Sequence, residues 1–307
     1  MIVWSPGAGM LPGVVAAIAL NLSNGVSAQT TQLEPQGNWT LDFADEKCRL
    51  TRLFGENDEA TLFYLEQFAP SDQASMAIAG NPIGPLSRGD EIKVRFGPRD
   101  EHYYDLPLTE AKFGNIGDGI MLRFLPLSDL QERDKNDKEK GGSHFDTIGV
   151  PRIDPDEIKG VEWLSLLRRG REVVLPLPGF QQAIAALNTC SLDLVRHWNL
   201  DTQEHKTMSR LVEPLNLSEV AEKITKEYFG GALRNGEQAN LNLRIIVNEN
   251  GSIDECSVSN VTTVKYLKTN ACDIFGRRAM FTPARNAAGE PMKSFYDVEL
   301  VYRVSGF

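Results

Sequence analysis

The first 28 residues contain no Lys, Arg, Asp or Glu. Nowhere in the 307-residue chain does an apolar run reach the roughly 18 to 20 residues that a spanning helix needs. Basic charge is scarce: 32 Lys and Arg face 42 Asp and Glu, a formal net charge of -10. Such a chain repels phosphate backbones as a whole, so no nucleic-acid partner is expected. Histidine and cysteine are few, four of each, with no CxxC and no His within five residues of any Cys. That excludes the usual zinc spacings, and HExxH, GxSxG, a Walker loop and EF-hand spacing are also missing. The 16 prolines are spread through the chain, so no proline-rich spacer exists. What is present, 41% hydrophobic and 24% charged residues, is an ordinary globular balance with enough chain for one large or two modest domains.

Residues 11–22 of the uncharged leader are apolar apart from Pro12, Gly13 and Asn21, and Val26-Ser27-Ala28 precedes Gln29. Small residues three and one before a polar start form the secretory cleavage pattern, so residues 1–28 read as a signal peptide cut between Ala28 and Gln29. The usual Lys or Arg ahead of the apolar stretch is missing. The rival reading is an uncleaved membrane anchor, but about a dozen apolar residues at 1.5 Å each fall short of ~30 Å of hydrocarbon. Export would place Cys48, Cys190, Cys256 and Cys272 where thiols are oxidised, which predicts two disulfides. Three connectivities are open. Cys256 and Cys272 lie 16 residues apart inside one compact segment while Cys48 and Cys190 bracket the other, which favours Cys48 with Cys190 and Cys256 with Cys272.

The polar stretch at 199–215 reads as a linker between a domain at 29–198 and one at 216–307. From Leu215 onward 11 basic and 11 acidic residues balance, so the whole charge deficit lies upstream. Short apolar or alternating runs at 39–43, 61–68, 75–79, 91–96, 119–124 and 173–177 predict a β-rich N-terminal domain, a barrel or sandwich. After Pro178-Gly179, the spacing of Phe180, Ile184, Leu187, Ser191, Leu194 and Trp198 predicts a closing helix that carries Cys190 beside its buried stripe. Residues 127–142, with nine charged side chains and two closing glycines, read as a solvated excursion. Arg168-Arg169-Gly170-Arg171 reads as a solvated turn, with an anion or lipid-headgroup contact as its functional reading.

Beyond the linker the pattern changes. Asn216 and Glu219 form a candidate capping pair, and Leu217, Val220, Ala221, Ile224 and Tyr228 follow at helical spacing. Ala239, Leu241, Leu243, Ile245 and Val247 then alternate with Asn240, Asn242 and Arg244, predicting a strand with one buried face and one mostly wet face. Asn250-Gly251 suits a tight hairpin turn with positive φ, and 253–258 returns as the partner strand with Cys256. A second helix over 266–278 brings Cys272 back. The chain ends in a long strand whose inward row is Tyr296, Val298, Leu300, Tyr302 and Val304.

In this order the segments AEKITKEYFGGALRNG, LRIIVNENGSIDECSVSN, RRAMFTPARNAAGEPMK and YDVELVYRV resemble the TonB C-terminal domain family over residues 217–304. The resemblance implies a small two-helix, three-stranded antiparallel domain, so the whole chain is expected to be α+β. Cys256 and Cys272 resemble the disulfide-bearing branch of that family. Many members carry Tyr-Pro where Tyr228-Phe229 stands here, so the approach to the first strand is expected to differ. The function implied is that of a periplasmic module gripping the N-terminal segment of an outer-membrane transporter by strand addition. The receiving edge would be the last strand, with Phe295, Asp297, Glu299, Val301 and Arg303 in one row. Asp297, Glu299 and Arg303 are expected to point away from the core, where they guard the edge, choose its partner or solubilise the face. A homodimer through the same strand is compatible with the pattern.

Two other readings remain. A membrane-anchored energy transducer would need a retained membrane helix and a long proline-rich spacer, and the spacer is missing. An enzyme with its site in the N-terminal domain would rest on His144 near Ser143 and Asp146, although sequence neighbours rarely make a triad. His102 and His197 read as surface or partly packed. The favoured expectation is a non-enzymatic periplasmic protein, without cofactor or metal, that binds a protein partner.

Overall fold

The computed structural model describes residues 29–127, 148–226, 239–260 and 269–302. The structure is strand-rich and mixed α+β. Its first eleven strands are β1 (Gln29–Gln32), β2 (Pro35–Ala44), β3 (Lys47–Phe54), β4 (Thr61–Gln67), β5 (Gln73–Gly80), β6 (Glu91–Pro98), β7 (Tyr104–Pro107), β8 (Thr109–Phe113), β9 (Gly117–Pro126), β10 (Val161–Arg168) and β11 (Arg171–Pro176). They form a five-stranded sheet, β1-β11-β10-β6-β7, and a six-stranded sheet, β2-β3-β4-β5-β9-β8. Leu50, Phe63, Leu65, Met76 and Ile120 from the larger sheet share one buried cluster with Ile92, Val94, Leu164, Leu166 and Leu175 from the smaller.

Among the described residues this half carries the α-helices α1 (Gly84–Ser87), a single turn, and the long α2 (Phe180–His197). The apolar stripe expected along α2 is buried at Phe180, Ile184, Leu187, Cys190, Ser191 and Leu194. Cys190 is bonded to Cys48 on β3, so the helix is tied covalently to the sheet it covers. β3 escaped the sequence reading because its inward row is Cys48, Leu50, Arg52 and Phe54. An arginine in that row breaks the apolar alternation. Arg52 is tolerated there because its guanidinium donates to the carbonyls of Pro178 at 3.0 Å and Gly37 at 2.8 Å and lies over the Trp39 ring. β10 hid for a different reason: Leu164, Ser165 and Leu166 are all buried, so both faces are covered and no alternation exists.

The second half comprises α3 (Thr202–Thr207), β12 (Glu213–Pro214), α4 (Leu217–Lys226), β13 (Ala239–Val247), β14 (Ile253–Asn260), α5 (Ala271–Arg278), β15 (Phe281–Thr282), β16 (Ala284–Arg285), β17 (Pro291–Met292) and β18 (Ser294–Tyr302). Three long antiparallel strands order as β14-β13-β18. Leu241, Leu243 and Ile245 of β13 pack with Val220 and Ile224 of α4 and Ile274 and Phe275 of α5 in a second core. Tyr296, Val298, Leu300 and Tyr302 of β18 lie against it. Cys256 on β14 is bonded to Cys272 on α5. Val304, the last of the expected inward row, lies outside the described residues.

Residues 199–215, read as a linker, pack against the second half: Met208 and Val212 are buried in the second core, β12 pairs with β15, and Ser209 N–H donates to Arg285 O at 2.9 Å. Irregularly spaced apolar residues among polar ones concealed this. Asn216 does not make a strong capping pair with Glu219, from which it stands 3.5 Å away. Its side chain instead bonds Arg278 O at 2.9 Å and Met280 N–H at 2.9 Å, pinning the start of α4 to the end of α5. The β13–β14 turn has positive φ at Gly251 alone, with Gly251 N–H donating to Asn248 O. That is a longer loop with glycine at its left-handed position rather than a two-residue turn.

Candidate functional site: the polar seam and the open strand

β18 pairs with β13 along its whole length, from Ala239 opposite Tyr302 to Val247 opposite Ser294. It is an edge strand, and among the described residues no strand pairs with its other side. The register sets two faces. Leu241/Leu300, Leu243/Val298 and Ile245/Tyr296 face the second core; Asn240/Val301, Asn242/Glu299, Arg244/Asp297 and Ile246/Phe295 form the opposite face.

The sequence reading placed this opposite face largely in water. In the structure it is the seam between the two halves, and Asn240, Asn242 and Arg244 keep only 5%, 6% and 8% of their surface. At one end Ile246 belongs to the first core, and Phe295 packs edge-on against Trp198 at 5.1 Å and stacks on His205. Farther along, Arg244 lies over Trp198 at 4.8 Å and pairs with Glu46 in the β2–β3 turn at 2.6 Å. Arg123 from β9 donates to Asn240 Oδ1 at 3.0 Å and pairs with Glu299. Polar groups can be buried in this way because each meets a partner from the other half or the neighbouring strand.

Glu299, expected to point away from the core, does lie on the face opposite the second core, where it meets the N-terminal half. It is held by Arg123, and only 6% of its side chain is accessible. Asp297 accepts from Asn242 Nδ2 at 3.1 Å and keeps an exposed surface. Loss of hydration there pushes its carboxyl up to about 7, against the opposing pull of Asn242 and Arg244. Val301 is 44% exposed. Of the expected row, Phe295 and Glu299 thus serve the seam, Asp297 and Val301 remain reachable, and Arg303 lies outside the described residues.

His205 had no signal in the sequence, because it stands in a stretch read as linker. It is fully buried and joins α3 to β18: Nδ1 lies 2.6 Å from Asp201 O and Nε2 3.0 Å from Ser294 Oγ. Burial holds its pKa below the ordinary imidazole value of 6.5, against the Asp201 and Glu204 contributions. His102 is exposed and His197 is half exposed beside Asp193, as expected of them. His144, Ser143, Asp146 and Ala28 lie outside the described residues, while Gln29 opens β1 by donating its N–H to Gly170 O at 2.8 Å. Among the described residues no three His, Cys, Asp or Glu side chains gather as a metal site would require. No described helix is long and apolar enough to cross a membrane, and the two disulfides suit an oxidising compartment outside the cytoplasm.

No protein-family model and no curated protein matches the chain.

Proposed function

We propose that this is a periplasmic binding protein whose C-terminal half acts as a TonB C-terminal-like module, receiving an extended segment of a protein partner along the open side of β18. The observation that carries the reading is the position of β18: one side fully laddered to β13, the other without a strand among the described residues. An unpaired edge of nine residues is a template for another chain, because its outward N–H groups can donate and its outward C=O groups can accept hydrogen bonds. The order of helix, hairpin, helix and strand supports the family resemblance, and an outer-membrane transporter's N-terminal segment is the partner it suggests. The protein acts by binding rather than catalysis, and signal removal at Gln29 accompanies export.

Proline substitutions test the edge. V298P and V301P have opposite parity on the strand, so one removes an N–H bonded to β13 and the other an N–H on the open side. The variant that keeps the wild-type melting temperature is expected to lose capture of immobilised transporter N-terminal peptides. Undiminished capture by that folded variant would refute strand addition. Intact-mass analysis of exported protein is expected to show a chain starting at Gln29.

A further inference from the structure

The arginine turn at the far end of the N-terminal half has no part in the seam or in the open strand. β10 and β11 join through Arg169 and Gly170, with Arg168 opposite Arg171 in the ladder. Both turn residues have positive φ, 49° and 73°, the signature of a two-residue hairpin turn in which Asn-Gly is the easy solution. A bulky L residue adopts this conformation only at a cost in backbone energy. β1 holds the turn in place through the Gln29 N–H bond to Gly170 O. The arginine is therefore kept at a strained position on a rigid turn.

That turn faces α1. Arg169 and Arg171 line a surface depression of about 510 Å³ together with Arg88, Gly84, Pro85 and Asp118. Among the described residues none of the three arginines makes an ion pair or a side-chain hydrogen bond. Arg168, by contrast, is spent on Glu91 O at 2.9 Å. Three unspent guanidinium groups against one carboxylate leave the depression net positive in a chain whose formal charge is -10. Asp118 offsets one of the three charges, and a compact polyanion would balance the rest. Guanidinium groups match phosphate oxygens in shape as well as charge.

We infer that Arg88, Arg169 and Arg171 form a binding site for a phosphate group, carried either by a soluble ligand or by a lipid headgroup at a membrane surface. The inference is independent of strand addition at β18, since the two features share no residue.

The test uses the exported, disulfide-bonded chain. Inorganic pyrophosphate is titrated calorimetrically into wild type, R88Q/R169N/R171Q and the control K159Q/K206Q/R277Q, which removes the same charge elsewhere. R169N suits the positive φ, so the turn is expected to survive, and a thermal melt checks this. The arginine variant is expected to bind roughly tenfold or more weakly, with the control unchanged. Sedimentation with phosphatidylcholine vesicles, with and without phosphatidylglycerol, separates the sources. Arginine-dependent pelleting with the anionic vesicles assigns the site to a headgroup, and pyrophosphate binding without pelleting assigns it to a soluble phosphate. Wild type that binds neither probe, or a control that weakens binding as much as the arginine variant, would overturn the proposal.

Discussion

At the scale of single residues, His205 and Asp297 make the seam sensitive to pH in opposite directions. A carbonyl oxygen can only accept, so the His205 Nδ1 contact with Asp201 O places the neutral ring's proton on Nδ1 and leaves Nε2 to accept from Ser294 Oγ–H. Protonating Nε2 removes that acceptor inside a buried site. The folded pKa lies below the unfolded 6.5, so the stability His205 contributes is complete above 6.5 and is lost as pH falls through the folded value. Replacing it, H205A, is expected to cost about 1–3 kcal/mol in urea unfolding at neutral pH, because Ser294 and the Asp201 carbonyl lose their partner. Asp297 runs the other way. Its folded pKa of about 7 exceeds the unfolded 3.8, so its contribution is complete below 3.8 and is lost as pH rises toward 7. D297N is expected to be more stable than wild type above pH 7 and to converge with it below 3.8, as read from unfolding curves across that range.

At the scale of elements, the two disulfides fasten each helix to the strand it covers, Cys190 of α2 to β3 and Cys272 of α5 to β14. Their loops differ greatly, with sequence separations of 142 and 16. Chain-entropy reasoning therefore predicts that C48A/C190A costs about 5 kcal/mol and C256A/C272A about 3 kcal/mol in equilibrium unfolding, the long loop more than the short one. Elements whose buried row keeps a regular spacing and carries no charged residue were legible in the sequence: α2 with its stripe from Phe180 to Leu194, β13 with Leu241, Leu243 and Ile245, and β18 with Tyr296, Val298 and Leu300. β3 was not, because Arg52 occupies an inward position and is satisfied by carbonyls from distant parts of the chain. Nor were α3 and the segment to β12, whose one buried histidine and scattered apolar residues carry no period. The Cys48–Cys190 bridge was favoured by chain order alone, and it joins α2 to the strand the sequence had hidden.

At the scale of the molecule, the two halves are joined by a face that composition disguises. Asn240, Asn242 and Arg244 look like the wet side of a strand, and only tertiary structure brings Arg123, Glu46 and Trp198 against them. A period-two pattern reports which face is apolar; it cannot report that a polar face will meet a polar counterpart. The ion pair between Arg123 and Glu299 is nearly buried, so R123M is expected to destabilise by about 3–5 kcal/mol, and R123M/E299L to recover much of that loss, in a double-mutant unfolding cycle. This seam covers one face of β18, and among the described residues no strand pairs with its outer side. The most direct test replaces Val301, exposed on that strand, with a photoreactive benzoyl-phenylalanine and irradiates the protein in the periplasm of a Gram-negative cell. The account predicts an intermolecular adduct whose partner peptide is an extended N-terminal segment of an outer-membrane transporter. Adducts only to the protein's own N-terminal half, or none at all, would contradict it.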